Sequence, residues 1–223
     1  CTVPSDQERS GNGPLPSDHP RQGRMGIHNP FGFKPIGTLM NITECEGNIL
    51  TGLDNNPPFE VLSGIYNNLS DSDQQLFQHS LFMGIVNDPF IDVPNNGDFL
   101  IRNIVGANPE EGKIAIGEIL KEGQLVQFHL RDSDTSSENL KIMLEDYKSD
   151  QEKNDQYGAL LFSCLGRGSY LYGKANHDTN MFKDLIGEIP LTGFFCNGEI
   201  GPVGDTTYVH GYTSSFGIIT PKK

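Results

Sequence analysis

Two glycine-rich segments carry the residues best suited to bind a small charged molecule. Residues 161–168 read LFSCLGRG, and Arg167 stands between two glycines directly after an apolar run. Residues 193–202 read GFFCNGEIGP, and Glu199 stands just before a Gly-Pro turn. Glycines let the backbone bend tightly and expose peptide N–H groups to an anion, while the arginine fork fits a carboxylate or phosphate. Because Glu199 supplies the opposite charge, the two segments predict a site for a zwitterion such as an amino acid.

The candidate ligand-binding residues lie in these two turns or in nearby apolar strands. They are Ser163, Cys164, Gly166, Arg167, Gly168, Asn197 and Glu199, with Arg102 and Arg131 as secondary candidates. A purely structural interpretation also stays open. In that interpretation Arg167 pairs with a local acid, and Glu199 pairs with Arg167, Arg102 or Arg131. The first segment is not a nucleotide-binding motif, since no Gly-Lys-Ser/Thr follows and the G-x-G-x-x-G spacing is missing.

Catalytic alternatives rest on the cysteines. Cys164 with His210 as its base would form a nucleophilic pair, but Cys164 ends a hydrophobic strand, where cysteines are usually inert core residues. Cys196 is interpreted in the same way. Cys1 would need to be held rigidly to act as an N-terminal nucleophile, whereas it opens a Pro-rich stretch. The sequence therefore predicts no catalytic residue.

Metal and cofactor sites are not predicted either. The cysteines and histidines lack the close spacing of a zinc site, and His129, His177 and His210 are scattered along the chain. Asp71 and Asp73 lack the calcium-loop pattern and are typical of a capped helix start.

Composition limits the partners. The formal net charge of -13 disfavours nucleic acid and anionic lipid. No apolar run approaches the roughly 18 residues of a membrane-spanning helix. Four cysteines in 223 residues and no signal-like segment favour a reducing compartment, either the cytoplasm or an organelle stroma. The initial Cys in place of Met indicates a processed or incomplete chain.

Residues 1–33 are rich in Pro, Gly and polar residues and predict a flexible arm or linker, followed by one domain over 34–223. Alternating and helical apolar patterns in that domain favour an α+β fold with a mostly antiparallel mixed sheet and several helices. The predicted strands are 38–46, 48–53, 81–86, 99–105, 114–120, 124–130, 157–164, 189–200 and 207–219. The predicted helices are one ending near 69, a short one from 72, 139–148 and 181–186.

The two glycine-rich segments together resemble the C-terminal domain of FIST proteins. Supporting pieces are 99–102 (FLIR), 128–132 (FHLRD) and 210–213 (HGYT), and the similarity spans 34–220 in the same order. The usual N-terminal FIST half is not found before it, and residues 1–33 do not replace that half.

The resemblance implies an intracellular ligand-sensing module that occurs with signalling partners, with amino acids as proposed ligands and no established catalytic residues. The alternative is a non-catalytic scaffold or assembly subunit that docks partly through its N-terminal arm.

Overall fold

A six-stranded barrel and an open four-stranded sheet form the two main parts of the fold. The computed structural model describes residues 23–28, 32–88, 90–91, 93–150, 157–203 and 206–221. In chain order the elements are β1 (Gly23–His28), β2 (Phe33–Glu46), β3 (Ile49–Leu53), α1 (Pro58–Asn67), α2 (Asp71–Phe77), β4 (Leu81–Val86), β5 (Phe99–Asn108), β6 (Lys113–Ile116), β7 (Leu125–Arg131), α3 (Ser133–Asp150), β8 (Gly158–Cys164), α4 (Ser169–Tyr172), α5 (His177–Ile186), β9 (Leu191–Cys196), β10 (Glu199–Val203), β11 (Thr206–His210) and β12 (Ser214–Pro221).

The barrel closes in the order β2-β3-β6-β5-β4-β7, and every pair of neighbours is antiparallel. Gly47, with a φ of 60°, makes the tight turn between β2 and β3. Apolar residues from all six strands fill the interior, including the fully buried Ile114, Phe128 and Leu130. Closure pairs the backbone of each strand on both sides, so the barrel has no free edge.

The open sheet has the order β1-β12-β8-β9. Strands β8 and β9 are parallel because α4 and α5 lie between them in the chain and carry it back to the start of the sheet. Helices α3 and α5 cover one face, where Leu140, Leu144, Phe182 and Phe216 form a second, smaller core. The rings of Phe182 and Phe216 stack with centroids 5.4 Å apart. This sheet ends in the edge strand β9.

The short hairpin of β10 and β11 lies between the two parts. It contacts β1, β8 and β12 of the open sheet, while Val203 at its end packs into the barrel core. The hairpin therefore brings the second glycine-rich segment to the place where barrel and open sheet meet.

The predicted α+β class with mostly antiparallel strands is confirmed. Two predicted strands are in fact each divided: 189–200 into β9 and β10, and 207–219 into β11 and β12. Turns at 197–198 and 211–213 redirect the chain from the open sheet into the hairpin and back. Helix α5 also begins four residues before the predicted start at Met181.

Strand β1 lies inside the range predicted to be a flexible arm. It pairs with β12 along its whole length, from Gly23 opposite Pro221 to His28 opposite Phe216. Backbone hydrogen bonding to a sheet edge needs few apolar side chains, which is why composition does not reveal it. Residues 1–22 lie outside the described residues, so the arm stays a prediction there. In the described part of the chain, no helix is long and apolar enough to span a membrane.

Candidate functional site

The turn after β8 directs Arg167 into the protein. The N–H of Arg167 donates to the carbonyl of Cys164 at 2.9 Å, which closes the turn. Gly168 continues it with a φ of 72°, a left-handed conformation that favours glycine. A Cβ at Gly168 would lie 3.2 Å from the Phe195 ring. The first glycine-rich segment is thus a tight turn against β9, and its arginine is 1% exposed.

Arg167 forms a two-point ion pair with Asp178, in the first turn of α5. Its Nε donates to Asp178 Oδ2 at 2.8 Å and its Nη2 to Oδ1 at 3.2 Å. The same Nη2 donates to the Tyr172 hydroxyl. Burial opposes ionisation of Asp178, but the charge and hydrogen bonds of Arg167 outweigh it and lower the pKa of this carboxyl to about 2. Asp178 is the local acid that a structural role of Arg167 requires.

Asp178 also anchors a chain of further hydrogen-bond partners. Ser214 Oγ donates to Oδ2 at 2.8 Å, and His177 Nδ1 lies 3.0 Å from Oδ1. Because an ionised carboxylate only accepts, His177 Nδ1 carries a proton, and His177 Nε2 lies 2.9 Å from the Ser137 hydroxyl. Tyr172 stacks on the imidazole with centroids 3.6 Å apart. The order Ser137–His177–Asp178 matches the hydrogen-bond order of a serine-hydrolase relay.

Arg131, at the end of β7, links the barrel to the same turn. Its Nη2 donates to the carbonyl of Gly166 at 2.7 Å, and its guanidinium lies 4.7 Å from the centre of the Tyr212 ring. Burial, followed by the nearby charge of Arg167, lowers the pKa of Arg131. The two arginines therefore approach one another from the two parts of the fold.

Glu199 opens β10 and is 1% exposed. Cys196 Sγ donates to its Oε1 at 3.4 Å, and the backbone N–H of Thr213 also donates to this carboxylate. Burial raises the pKa of Glu199, although the charges of Arg167 and Arg131 act in the opposite direction. Within the described residues, three buried atoms have no hydrogen-bond partner at this place: Glu199 Oε2, Arg167 Nη1 and Arg131 Nε. Glu199 makes no ion pair with either arginine in the described chain. The charges of the arginines nevertheless act on the pKa of Glu199, and that of Arg167 acts on the pKa of Arg131.

A cavity of about 310 Å³ lies beside this cluster, between β9 and the segment from α4 to α5. Apolar groups of Leu161, Leu191, Phe194 and Phe195 form its walls. Its polar lining comes from Ser163, Ser169 and residues 176–179 at the start of α5. The cavity thus combines an aromatic wall with a helix N-terminus, whose N–H groups favour an anion.

The structure gathers most of the predicted site residues but sorts them into two environments. Ser163 and Gly168 line the cavity. Arg167, Arg131 and Glu199 belong to the buried cluster behind it and are not among its lining residues. Asn197 is exposed. Arg102 lies elsewhere in the barrel wall, where its Nε donates to Glu118 at 2.8 Å.

Sequence reasoning missed the residues that α5 and β9 contribute: Asp178, His177, Phe194 and Phe195. For α5, the available signal was Asn176 followed by Asp178, because an Asn before an acidic residue in the first turn is typical of a helix start. His210 has another role than the base considered for Cys164: its Nε2 lies 2.8 Å from the carbonyl of Gly201, and burial lowers its pKa. No metal-binding group of three or more His, Cys, Asp or Glu occurs among the described residues.

Residues 58–202 match the model of the FIST C domain, which is about two thirds of the chain. The chain belongs to the FIST C domain family, as the two glycine-rich segments predicted.

Similar proteins include an uncharacterized protein of Mycobacterium tuberculosis, 39% identical over 84% of this chain and 49% of its own length. An uncharacterized protein of Mycobacterium bovis is 36% identical over 97% of this chain and 58% of its own length. Human F-box only protein 22 is 45% identical over 42 residues, 18% of this chain and 10% of its own length. The chain spans about half the length of the mycobacterial relatives it matches.

Proposed function

We propose that this chain is a non-catalytic ligand-binding domain that senses a small carboxylate with an apolar side chain, such as an apolar amino acid. The observation that carries the proposal is the cavity of about 310 Å³ between β9 and the start of α5. A largely apolar cavity with a few converging polar groups is the arrangement that small-ligand sites share.

The N-terminus of α5 is the group that would receive the carboxylate. Asn176 precedes the helix in a left-handed conformation, and its own side chain makes no capping hydrogen bond to the first N–H groups. Such uncapped N–H groups attract an anion. Asp178 in the same turn would repel that anion if its charge were free, but the ion pair with Arg167 neutralises it. In this proposal Arg167 acts by positioning and neutralising Asp178.

Phe194 and Phe195 would receive the apolar part of the ligand. They are 64% and 56% exposed although both line the cavity. Covering them with an apolar side chain removes aromatic surface from water and contributes to affinity. Direct contact of Arg167 or Glu199 with a ligand stays a prediction, because neither lines the cavity.

A thermal-shift series tests the proposal with phenylalanine, leucine and small carboxylates, and with phenylalaninol as the analogue that lacks the carboxylate. A ligand that binds only the folded state adds about 2.7 kcal/mol at one hundred times its Kd. We expect stabilisation by an apolar amino acid and none by phenylalaninol at the same concentration. Equal stabilisation by both would overturn the assignment of the carboxylate to the helix.

Phe195→Ala is the informative variant and Phe90→Ala its matched control. Phe195 lines the cavity, whereas Phe90 is 90% exposed and does not line it. Phe195→Ala is expected to weaken binding at least tenfold and Phe90→Ala to leave it unchanged. No binding by the wild-type chain to any member of the series would end the proposal.

A further inference from the structure

Two cysteines stand directly opposite one another on the parallel strands β8 and β9. The strand register pairs Cys164 with Cys196. Neighbouring strands lie about 4.8 Å apart, inside the range of about 4.4 to 6.8 Å between the Cα atoms of a disulfide. Side chains at paired positions also leave the sheet on the same face. The two thiols can therefore meet without a change of backbone register.

The two thiols differ in access and in partners. Cys164 is 6% exposed, whereas Cys196 is half-buried. Cys196 Sγ donates to Glu199 Oε1 at 3.4 Å and lies 3.6 Å from the carbonyl oxygen of Ser163. Glu199 Oε2 has no hydrogen-bond partner among the described residues, although the side chain is buried. This carboxylate is placed to take the proton of the Cys196 thiol.

We propose that Cys164 and Cys196 are a redox-active dithiol that a low-molecular-weight disulfide such as oxidised glutathione converts to an intramolecular disulfide. Glu199 takes the proton from Cys196, and the thiolate attacks one sulfur of the small disulfide. The other half of the small disulfide leaves as a thiolate, takes that proton and becomes the first small thiol. Cys164 then loses its proton and attacks Cys196 Sγ in the mixed disulfide, and the second small thiol leaves. Two protein thiols and one small disulfide thus give one protein disulfide and two small thiols.

Glu199 distinguishes this pair from two cysteines that only lie close together, because it places a base beside the Cys196 thiol. Burial, and then the hydrogen bond to Glu199, raise the pKa of Cys196 to about 11. A thiol of this kind reacts slowly unless a nearby base accepts its proton. Oxidation removes the thiol donor from Glu199 and ties the end of β9 to β8, next to Phe194 and Phe195.

The test is peptide mapping of the folded chain after incubation with oxidised glutathione. Arg167, Lys174 and Lys183 lie between the two cysteines, so trypsin separates them into different peptides. We expect one peptide pair linked through Cys164 and Cys196, a mass loss of about two hydrogens, and full reversal by dithiothreitol. Cys45, which is half-buried in β2, is expected to stay a free thiol and serves as the internal control.

Variants separate the pairing from the role of the carboxylate. Cys164→Ser and Cys196→Ser are each expected to leave no internal link, with Cys196→Ser also losing mixed-disulfide formation at this place. Glu199→Gln is expected to slow the link at least tenfold while the same link forms in the end. The pairing is overturned if the folded wild type keeps both thiols under conditions that oxidise the unfolded chain, or if Cys1 or Cys45 becomes the linked partner. An unchanged rate in Glu199→Gln would remove Glu199 from the proposal.

Discussion

The barrel and the open sheet differ in the charge state of the polar side chains that they bury. The barrel interior is almost entirely apolar, and its buried titratable residue His129 is kept neutral because burial lowers the pKa of the imidazole to about 4. The open sheet and its helices instead bury Arg167 and Asp178 as ionised partners. The barrel closes without edges, whereas the open sheet ends at β9 beside a cavity.

This difference separates a part stabilised by apolar packing from a part that holds buried charges. Closure and apolar packing stabilise the barrel, and apolar side chains fill its interior. Buried charges cost desolvation energy and are retained only where their partners are well placed, so they are common near functional sites. The charges, the paired thiols and the cavity all lie in or beside the open sheet.

Removing one partner of the buried ion pair is expected to have the largest effect. Arg167→Ala leaves Asp178 buried without its counter-charge and should lower the free energy of unfolding by about 3 to 5 kcal/mol. Arg102→Ala is the matched control in the barrel, because its partner Glu118 is a third exposed, and it should cost about 1 kcal/mol or less. Urea denaturation measures both. Equal losses would show that burial does not distinguish the two pairs.

Acid should destabilise the barrel before the open sheet. The pKa of His129 is about 4 in the folded chain and 6.5 ordinarily, so the unfolded chain binds more protons between these values. Stability is therefore lost as the pH falls from 6.5 to 4, by about 3 kcal/mol at 1.36 kcal/mol per pKa unit. Asp178, with a pKa of about 2 against 3.8, loses its contribution only as the pH falls from 3.8 to 2.

His129→Gln tests this order. The variant has no imidazole to protonate, so its stability curve should be flatter between pH 6.5 and 4 while the loss below pH 3.8 remains. Urea midpoints measured across the pH range give both windows. An unchanged slope above pH 4 would mean that folding does not lower the pKa of His129.

Two glycines allow a smaller and local test. A Cβ at Gly84 in the barrel would lie 2.5 Å from His129 Cε1, and one at Gly193 in β9 would lie 1.7 Å from the backbone oxygen of Leu161. Gly84→Ala should cost about 1 to 3 kcal/mol, because side chains can yield. Gly193→Ala should cost more than Gly84→Ala and should also abolish ligand binding at the cavity, since the backbones of β8 and β9 must separate. Calorimetric unfolding and the thermal-shift series report the two effects, and retained ligand binding in Gly193→Ala would contradict the placement of the site.

The smallest expected effect concerns the Ser137–His177–Asp178 chain. Ser137 is not among the residues that line the cavity, and Arg167 shares both oxygens of Asp178. A fluorophosphonate probe, which labels activated serines, is therefore expected to leave the wild-type chain unlabelled. Labelling that is lost in Ser137→Ala would replace the non-catalytic proposal with a hydrolase.

Local signals predicted several elements closely. The apolar run 81–86 matches β4. Pro57-Pro58 stands at the start of α1, and Ser70 caps α2, where its hydroxyl accepts from the Asp73 N–H. The parallel pairing of β8 with β9 and the closure of the barrel have no such local signal, because both depend on strands far apart in the chain.

By itself, the sequence determined the fold class, the family and the two glycine-rich turns, because these depend on residue order and on local backbone preferences. Only the tertiary structure decided what the turns do. It paired Arg167 with Asp178 and placed Cys196 opposite Cys164. It also completed a cavity by bringing the start of α5 beside residues of both segments. The physical reason is that a charge or a thiol acquires its chemistry from burial and from neighbours within a few ångströms, and those neighbours come from strands and helices brought together only by folding.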